Sequence, residues 1–346
     1  MIMMAYPSGY ATYHRSVIRQ KESIEHLIKK AHMKLNITIV LLLISIQISS
    51  QDAMKTEEQL SHCTIKLSCV KEKTNDKGDT IKYKTSGTGF FINTRIEGVL
   101  HSLLVTNKHV IKDAISASLV FTMKDAAGNP EYGKHITYNI DNFEDAFFLH
   151  PDTNIDLCAM PMTNIHRALQ TAKLRVFVRN TPSSFLLSEE EWSNTSQGEE
   201  VLMVGYPKGL IDNRNNAPIM RRGITATSPK LDYKGKAQFL IDMPVFKGSS
   251  GSPVFLKKPT MKTNKVKEGT QIISSFEYKL LGIVYASPMY KVSDEETAIE
   301  IMPIEDMDKS EKRELKMPMN LGVVIKSSQL TEIINLIIKS LSLIHI

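Results

Sequence analysis

Gly248-Ser249-Ser250-Gly251-Ser252-Pro253 sets one serine among small, backbone-permissive neighbours, and the reading of that hexapeptide decides the fold. A serine hydroxyl is a poor nucleophile at neutral pH until a base takes its proton and donors stabilise the resulting oxyanion. Glycines around Ser250 permit a tight turn whose successive N–H groups converge on one point. Pro253 closes the turn and leads into Val254-Phe255-Leu256, an apolar run that reads as a strand. Alone, the stretch equally fits a Gly/Ser turn with no chemistry.

Such a serine needs an imidazole base, and the base needs a carboxylate to fix its tautomer. Residues 103–111 form an apolar strand running into a polar turn, with His109 at its end. Residues 150–160 place Asp156 at the mouth of a second apolar strand, where an acid is half-buried yet reaches a ring. Asp152 is the rival acid, but it follows Pro151 in a loop, whereas the apolar strand follows Asp156 directly. Taken singly, each residue has a plainer reading: His109 as a satisfied histidine, Asp156 and Ser250 as turn formers. Taken jointly, in order, with 47 residues from His109 to Asp156 and 94 more to Ser250, they read as one constellation.

Thr106-Asn107-Lys108-His109, Asp156-Leu157 and Gly248–Pro253 resemble, in that order, the signature of the chymotrypsin-like (trypsin-like) serine proteases. Within that family the bacterial trypsin-like and HtrA-type peptidases are the nearest resemblance. Ser86-Gly87-Thr88-Gly89-Phe90-Phe91-Ile92 looks like the glycine-rich strand ahead of the histidine. Val204-Gly205-Tyr206-Pro207 and Arg222–Ala226 look like opening strands of a second barrel, and Leu280–Ser287 like the strand that pairs with substrate backbone. The likeness spans about residues 58–338.

The resemblance implies a serine endopeptidase acting through an acyl-enzyme: Ser250 as nucleophile, His109 as base and Asp156 as its orienting acid. Gly248 and Ser250 would supply the oxyanion-hole N–H groups. Pro244, six residues before the nucleophile, would stand at the base of the specificity pocket, with Tyr285, Ala286 and Ser287 along the bound substrate. Proline in place of an acid there points to a small or medium apolar side chain rather than Lys or Arg, and Ala286 and Ser287 would leave the pocket open. Tyr285 replaces the serine that often braces the triad acid. Ser249 replaces the aspartate that pairs with a newly freed N-terminus, which speaks against activation of that kind. Two other readings stay open: an inactive protease-fold binding protein, and an esterase using the same triad.

The chain has 346 residues, 42% of them hydrophobic, enough for a large core in one or two domains. Its 43 basic and 37 acidic residues leave a net charge of +6, interleaved, which gives no push towards nucleic acid. No histidine or cysteine pair stands at metal-ligand spacing, and no phosphate-cradling or dinucleotide glycine motif occurs, so neither metal nor cofactor is expected. Peptide or protein substrates are the expected partners, and the sequence is silent on oligomeric state. From residue 61 onward, short apolar runs alternate with polar turns, which predicts an all-β fold. Two series of such runs predict two six-stranded antiparallel β-barrels, the first over about 58–162 and the second over about 174–326. An apolar stripe at helical spacing, Leu330 to Leu341, predicts a terminal helix over about 328–340 that packs on the second barrel. The loops 257–275 and 288–319 are expected to be long insertions flanking the substrate strand. No further peptide-binding domain is expected beyond the helix.

Residues 1–32 read as an irregular extension. Lys29, Lys30 and Lys34 then precede the uncharged stretch 35–51, so 33–53 reads as a signal peptide or signal anchor and the protein as exported or membrane-anchored. A cytoplasmic location is the alternative, because Cys63, Cys69 and Cys158 give no disulfide framework: along one strand the first two would lie about 20 Å apart.

Overall fold

The computed structural model describes residues 54–75, 77–96, 98–266, 269–292, 297–304 and 315–344. The extension 1–32 and the segment 33–53 lie outside them. Thr56–Ile346 forms a compact unit of its own.

A short helix, α1 (Thr56–Ser61), leads into the first sheet. Its strands are β1 (Thr64–Thr74), β2 (Thr80–Ile96), β3 (Val99–Thr106), β4 (Ala114–Lys124), β5 (Pro130–Asp141), β6 (Phe148–Leu149), β7 (Cys158–Pro161) and β8 (Val176–Phe177). They run in the order β5-β4-β1-β2-β3-β7-β6, with β8 on β4. Helix α2 (Lys108–Ile111) follows β3, and α3 (Thr163–Thr171) fills most of the gap between the two expected barrel ranges. β1 alternates as a half-buried strand should: Ile65, Leu67 and Cys69 turn inward and meet Phe91, Leu104, Leu119, Phe121 and Cys158 in one apolar cluster.

Helix α4 (Glu189–Ser193) precedes the second sheet and starts with a capping box, Ser188 and Glu191 each satisfying the other's backbone. The second set comprises β9 (Glu200–Gly205), β10 (Ile219–Thr225), β11 (Gln238–Asp242), β12 (Pro253–Val266), β13 (Gly269–Val292), β14 (Thr297–Pro303), β15 (Leu315–Pro318) and β16 (Leu321–Lys326). β12-β9-β10-β11-β16-β13 closes on itself because β13 also pairs with β12. This is a closed ring of six, with β14 and β15 added on the projecting end of β13. The fold is therefore a double β-barrel, all-β apart from short helices and the terminal α5 (Leu330–Ile344).

Three expectations change. The described residues of the segments expected as loops, 257–275 and 288–319, are largely strand: β12 and β13 pair as far as Val266↔Gly269, and β13 continues to Val292 to carry β14 and β15. Phe276, Tyr278 and Leu280 alternating with Ser275, Glu277 and Lys279, and β-rich 297–303, supply the local preference. Val176–Phe177, read as the start of the second series, pairs with Thr122 and Met123 of the first sheet. Helix α5 packs not on the second barrel alone but in the seam. Leu330, Ile333, Ile334 and Ile337 join one cluster with Phe90, Ile92, Leu103 and Val105 of the first sheet and Leu202, Val204, Phe255 and Ile283 of the second. Burying each such side chain contributes roughly 1.5–3 kcal/mol, so the cluster ties the two sheets together and fixes what lies between them.

Candidate functional site

Val110 and Ile111 decide where His109 points. Both are 1% exposed and packed in the first-barrel core, which anchors α2 by its apolar side and turns the imidazole away from that core. The carbonyl of His109 accepts a 2.9 Å hydrogen bond from Lys71 Nζ, a lysine drawn inside by that pairing. Asp156 lies just ahead of β7, which pairs with β3 through Thr106↔Cys158 and so brings the acid beside the histidine. Asn107 Nδ2 donates to the Asp156 carbonyl at 2.7 Å, and Lys108 Nζ donates to the carbonyls of His150 and Asp152, each at 3.0 Å. The acid-bearing loop is thus held from the histidine's own turn.

The Asp156 carboxylate engages His109 twice. Oδ1 accepts the His109 backbone N–H at 3.1 Å, and Oδ2 is hydrogen-bonded to Nδ1 of the ring. Burial pushes the Asp156 carboxyl up, but the hydrogen bond and charge of His109, with the amides of His109 and Lys108, outweigh it and hold the group below the usual range. Asp152 takes no part: it is exposed and its carboxylate accepts from Asn154 in a local turn.

The Ser250 turn is seated by close backbone approach. Gly248 has φ +86°, and a Cβ there would lie 2.4 Å from the Tyr206 carbonyl oxygen; Gly251 has φ +85°, and its Cβ would meet the Thr88 carbonyl oxygen at 1.9 Å. Only glycine fits either place. Gly251→Ala is accordingly expected to cost about 3–5 kcal/mol of folding stability, strain and overlap together, read as a lowered urea midpoint.

Thr88 is the hub that sequence reasoning missed. Its N–H donates to Ser250 O at 2.8 Å, its hydroxyl donates to Gly248 O at 2.8 Å and accepts from Tyr206 N at 3.1 Å, and its carbonyl accepts from Thr106 Oγ1 at 2.8 Å. One residue of β2 therefore locks the second-barrel turn to the strand that leads to His109. Its signal was available: a threonine between Gly87 and Gly89, in a strand where bare backbone means close approach.

Ser249, Ser250 and Ser252 are all fully buried. Among the described residues, the N–H groups of Gly248 and Ser250 meet no acceptor, whereas Ser249 N–H and Ser252 N–H are bonded within the turn. Ser250 Oγ and His109 Nε2 are each buried without a hydrogen-bond partner, so the structure joins His109 to Asp156 and leaves the link to Ser250 unmade.

Of the expected substrate contacts, Pro244 is half-buried between the fully buried Met243 and Val245. Tyr285 does not brace Asp156: its hydroxyl donates to Gln238 Oε1, and burial first, then the Asp156 charge, push its pKa up to about 12. Ala286 and Ser287 do not line an open entrance. They are 0% and 1% exposed, Ser287 Oγ donates to Leu321 O at 2.9 Å, and β14 pairs along them. Among the described residues no group of His, Cys, Asp or Glu is arranged to hold a metal ion, and no helix is long and apolar enough to cross a membrane.

The sequence profile of the trypsin-like peptidase domain matches residues 87–259, from the strand carrying Thr88 through the Ser250 turn into β12. The chain belongs to the trypsin-like peptidase family. A comparison with curated proteins found no match. As a trypsin-like peptidase domain, the double barrel has protein substrates and the hydrolytic chemistry of a serine protease as its family assignment. The matched span holds His109, Asp156 and Ser250, while β13 to β16 and α5 lie beyond it.

Proposed function

We propose that the protein is a serine endopeptidase in which Ser250 attacks the scissile carbonyl, His109 takes its proton and later protonates the leaving amine, and Asp156 holds the imidazole. The observation that carries this is the two-point grip of Asp156 on His109. It fixes ring orientation and leaves Nε2 free to act as base towards the second-barrel turn. The unpartnered N–H groups of Gly248 and Ser250 are the donors for the developing oxyanion. A fluorophosphonate that labels the chain but not Ser250→Ala tests the assignment directly. The unmade link between Ser250 Oγ and His109 Nε2 favours, as a second reading, a protease fold that binds without cutting; absence of labelling would support it. Hydrogen bonds of this kind often tighten only when substrate is bound.

Beside the turn lies a cavity of about 680 Å³ lined by Lys66, Lys208, Arg221 and Phe246 among others. Lys208 Nζ and Arg221 Cζ stand 5.5 and 5.4 Å from the Phe246 ring centroid. A Cβ on Gly248 would lie 3.3 Å from Lys208 N, so this cationic hollow adjoins the oxyanion donors. It suits an acidic side chain near the scissile bond. Lys208→Glu is expected to lower kcat/KM about five- to tenfold for peptides acidic at that subsite, a change near 1 kcal/mol, and to leave neutral peptides nearly unaffected. A paired peptide panel reads the difference. Residues 33–53 are proposed to export or anchor the protein; cell fractionation with and without them checks this.

A further inference from the structure

We propose that β14 is an intramolecular substrate mimic that occupies the peptide-binding edge beside Ser250, with Ile304 in the position of the residue whose carbonyl would be attacked. This rests on the peptidase reading above and adds a regulator and a side-chain preference to it. The edge is identified by pairing alone. At Ile283, β13 has Pro253 of β12 on one side and Ile325 of β16 on the other; at Ala286 it has Val323 of β16 on one side and Pro303 of β14 on the other. β12 and β14 therefore share one edge of β13, the edge opposite β16.

The Ser250 turn is attached to that same edge, between them. Gly251 N–H donates to Val284 O at 2.9 Å, and Val284 N–H donates to Ser252 O at 3.0 Å. Coming from the other end, β14 runs antiparallel to β13 through Met302↔Ser287 and Pro303↔Ala286. The next residue, Ile304, arrives level with Tyr285, one position from the residue that holds the turn. An extended peptide added to a sheet edge takes its affinity from main-chain pairing and its specificity from alternate side chains.

Ile304 behaves as such a side chain. It is fully buried and joins the edge of the second-barrel core cluster, whose members include Met243, Val245, Val254, Val284, Val324 and Phe239, and Met243 and Val245 flank Pro244. Ile299, five residues earlier, is 53% exposed. In the strand order β14 comes last, with β13 as its neighbour, so its release breaks one ladder and leaves the six-stranded ring closed. The complete burial of Ser250 agrees with an occupied cleft. The cleft therefore takes an extended peptide with a branched aliphatic residue before the scissile bond, and the resting chain fills it with its own.

The test compares fluorophosphonate labelling rates of the intact chain, Ile304→Asp and the milder Ile304→Ser, each with and without Ser250→Ala. A carboxylate in that apolar site should expel the strand. Expected are labelling about tenfold faster or more in Ile304→Asp, a smaller gain in Ile304→Ser, and loss of hydrogen-exchange protection at residues 286–290. A free peptide of sequence 297–304 should slow labelling of Ile304→Asp again, which a misfolded variant would not show. Equal, Ser250-dependent labelling of all three chains overturns the mimic and leaves the peptidase standing. No labelling in any of them overturns the peptidase reading and this one with it.

Discussion

Ser250→Ala is expected to lower peptide hydrolysis by about 10⁵–10⁶-fold while raising the melting temperature slightly. The two effects have one cause. Ser250 is fully buried and its hydroxyl has no hydrogen-bond partner, so in the resting fold that oxygen is a desolvated polar atom without compensation. Removing it relieves a cost of about 1 kcal/mol or more and leaves a void of only one atom. The turn itself does not depend on the side chain: it is held by Thr88 N–H on Ser250 O, Thr88 Oγ1 on Gly248 O and the Gly251–Val284 pair, all through backbone atoms of the turn. A serine there destabilises the fold, which is what a group kept for chemistry rather than packing does. Calorimetry on Ser250→Ala beside an activity assay in the Ile304→Asp background reads both halves. A large drop in melting temperature with unchanged hydrolysis would make Ser250 a structural turn residue.

The sequence made the barrels and the His109–Asp156 pair legible because their signals are local and repeated. Apolar alternation in Ile65, Leu67 and Cys69, and the strand-to-turn break at Asn107-Lys108-His109, need no knowledge of distant residues. Gly248 and Gly251 were legible as turn residues, but not what forbids a side chain there, because Tyr206 and Thr88 reach them across the seam from remote segments. β5 was missed: it is an edge strand with no fully buried residue, and its apolar alternation, Ile136, Tyr138 and Ile140 against the first-barrel core, is confined to its second half, behind Gly133-Lys134-His135. The pairing of β14 with Ala286–Val292 was also invisible. A sheet edge offered to a substrate and one already filled by the chain's own residues carry the same sequence at β13. Only the register separates them.

Asp156→Asn is expected to lower kcat about 10⁴-fold with the fold retained. The carboxylate accepts two hydrogen bonds, one on each oxygen, from the backbone N–H of His109 and from its Nδ1. An amide has one acceptor and one donor end, so it cannot satisfy both. With its oxygen on the backbone N–H, its NH₂ faces Nδ1 and forces the proton onto Nε2, the nitrogen proposed to receive the proton of Ser250. With its oxygen on Nδ1, the NH₂ opposes the backbone N–H and the His109 turn loosens. The first arrangement blocks the proposed base by tautomer and the second misplaces it, and neither touches Ser250 or the N–H groups of its turn. Stability separates the variants by pH. The folded carboxyl lies below its ordinary value because His109 and the neighbouring amides outweigh the effect of burial. Its contribution is therefore present above the unfolded carboxylate pKa and is lost as pH falls through the lower, folded one. The stability gap between the natural chain and Asp156→Asn should be full at pH 7 and should narrow below about pH 4. Urea denaturation at the two ends of that range measures it. A gap that persists unchanged into strong acid would mean that Asp156 holds the loop by shape and not by charge.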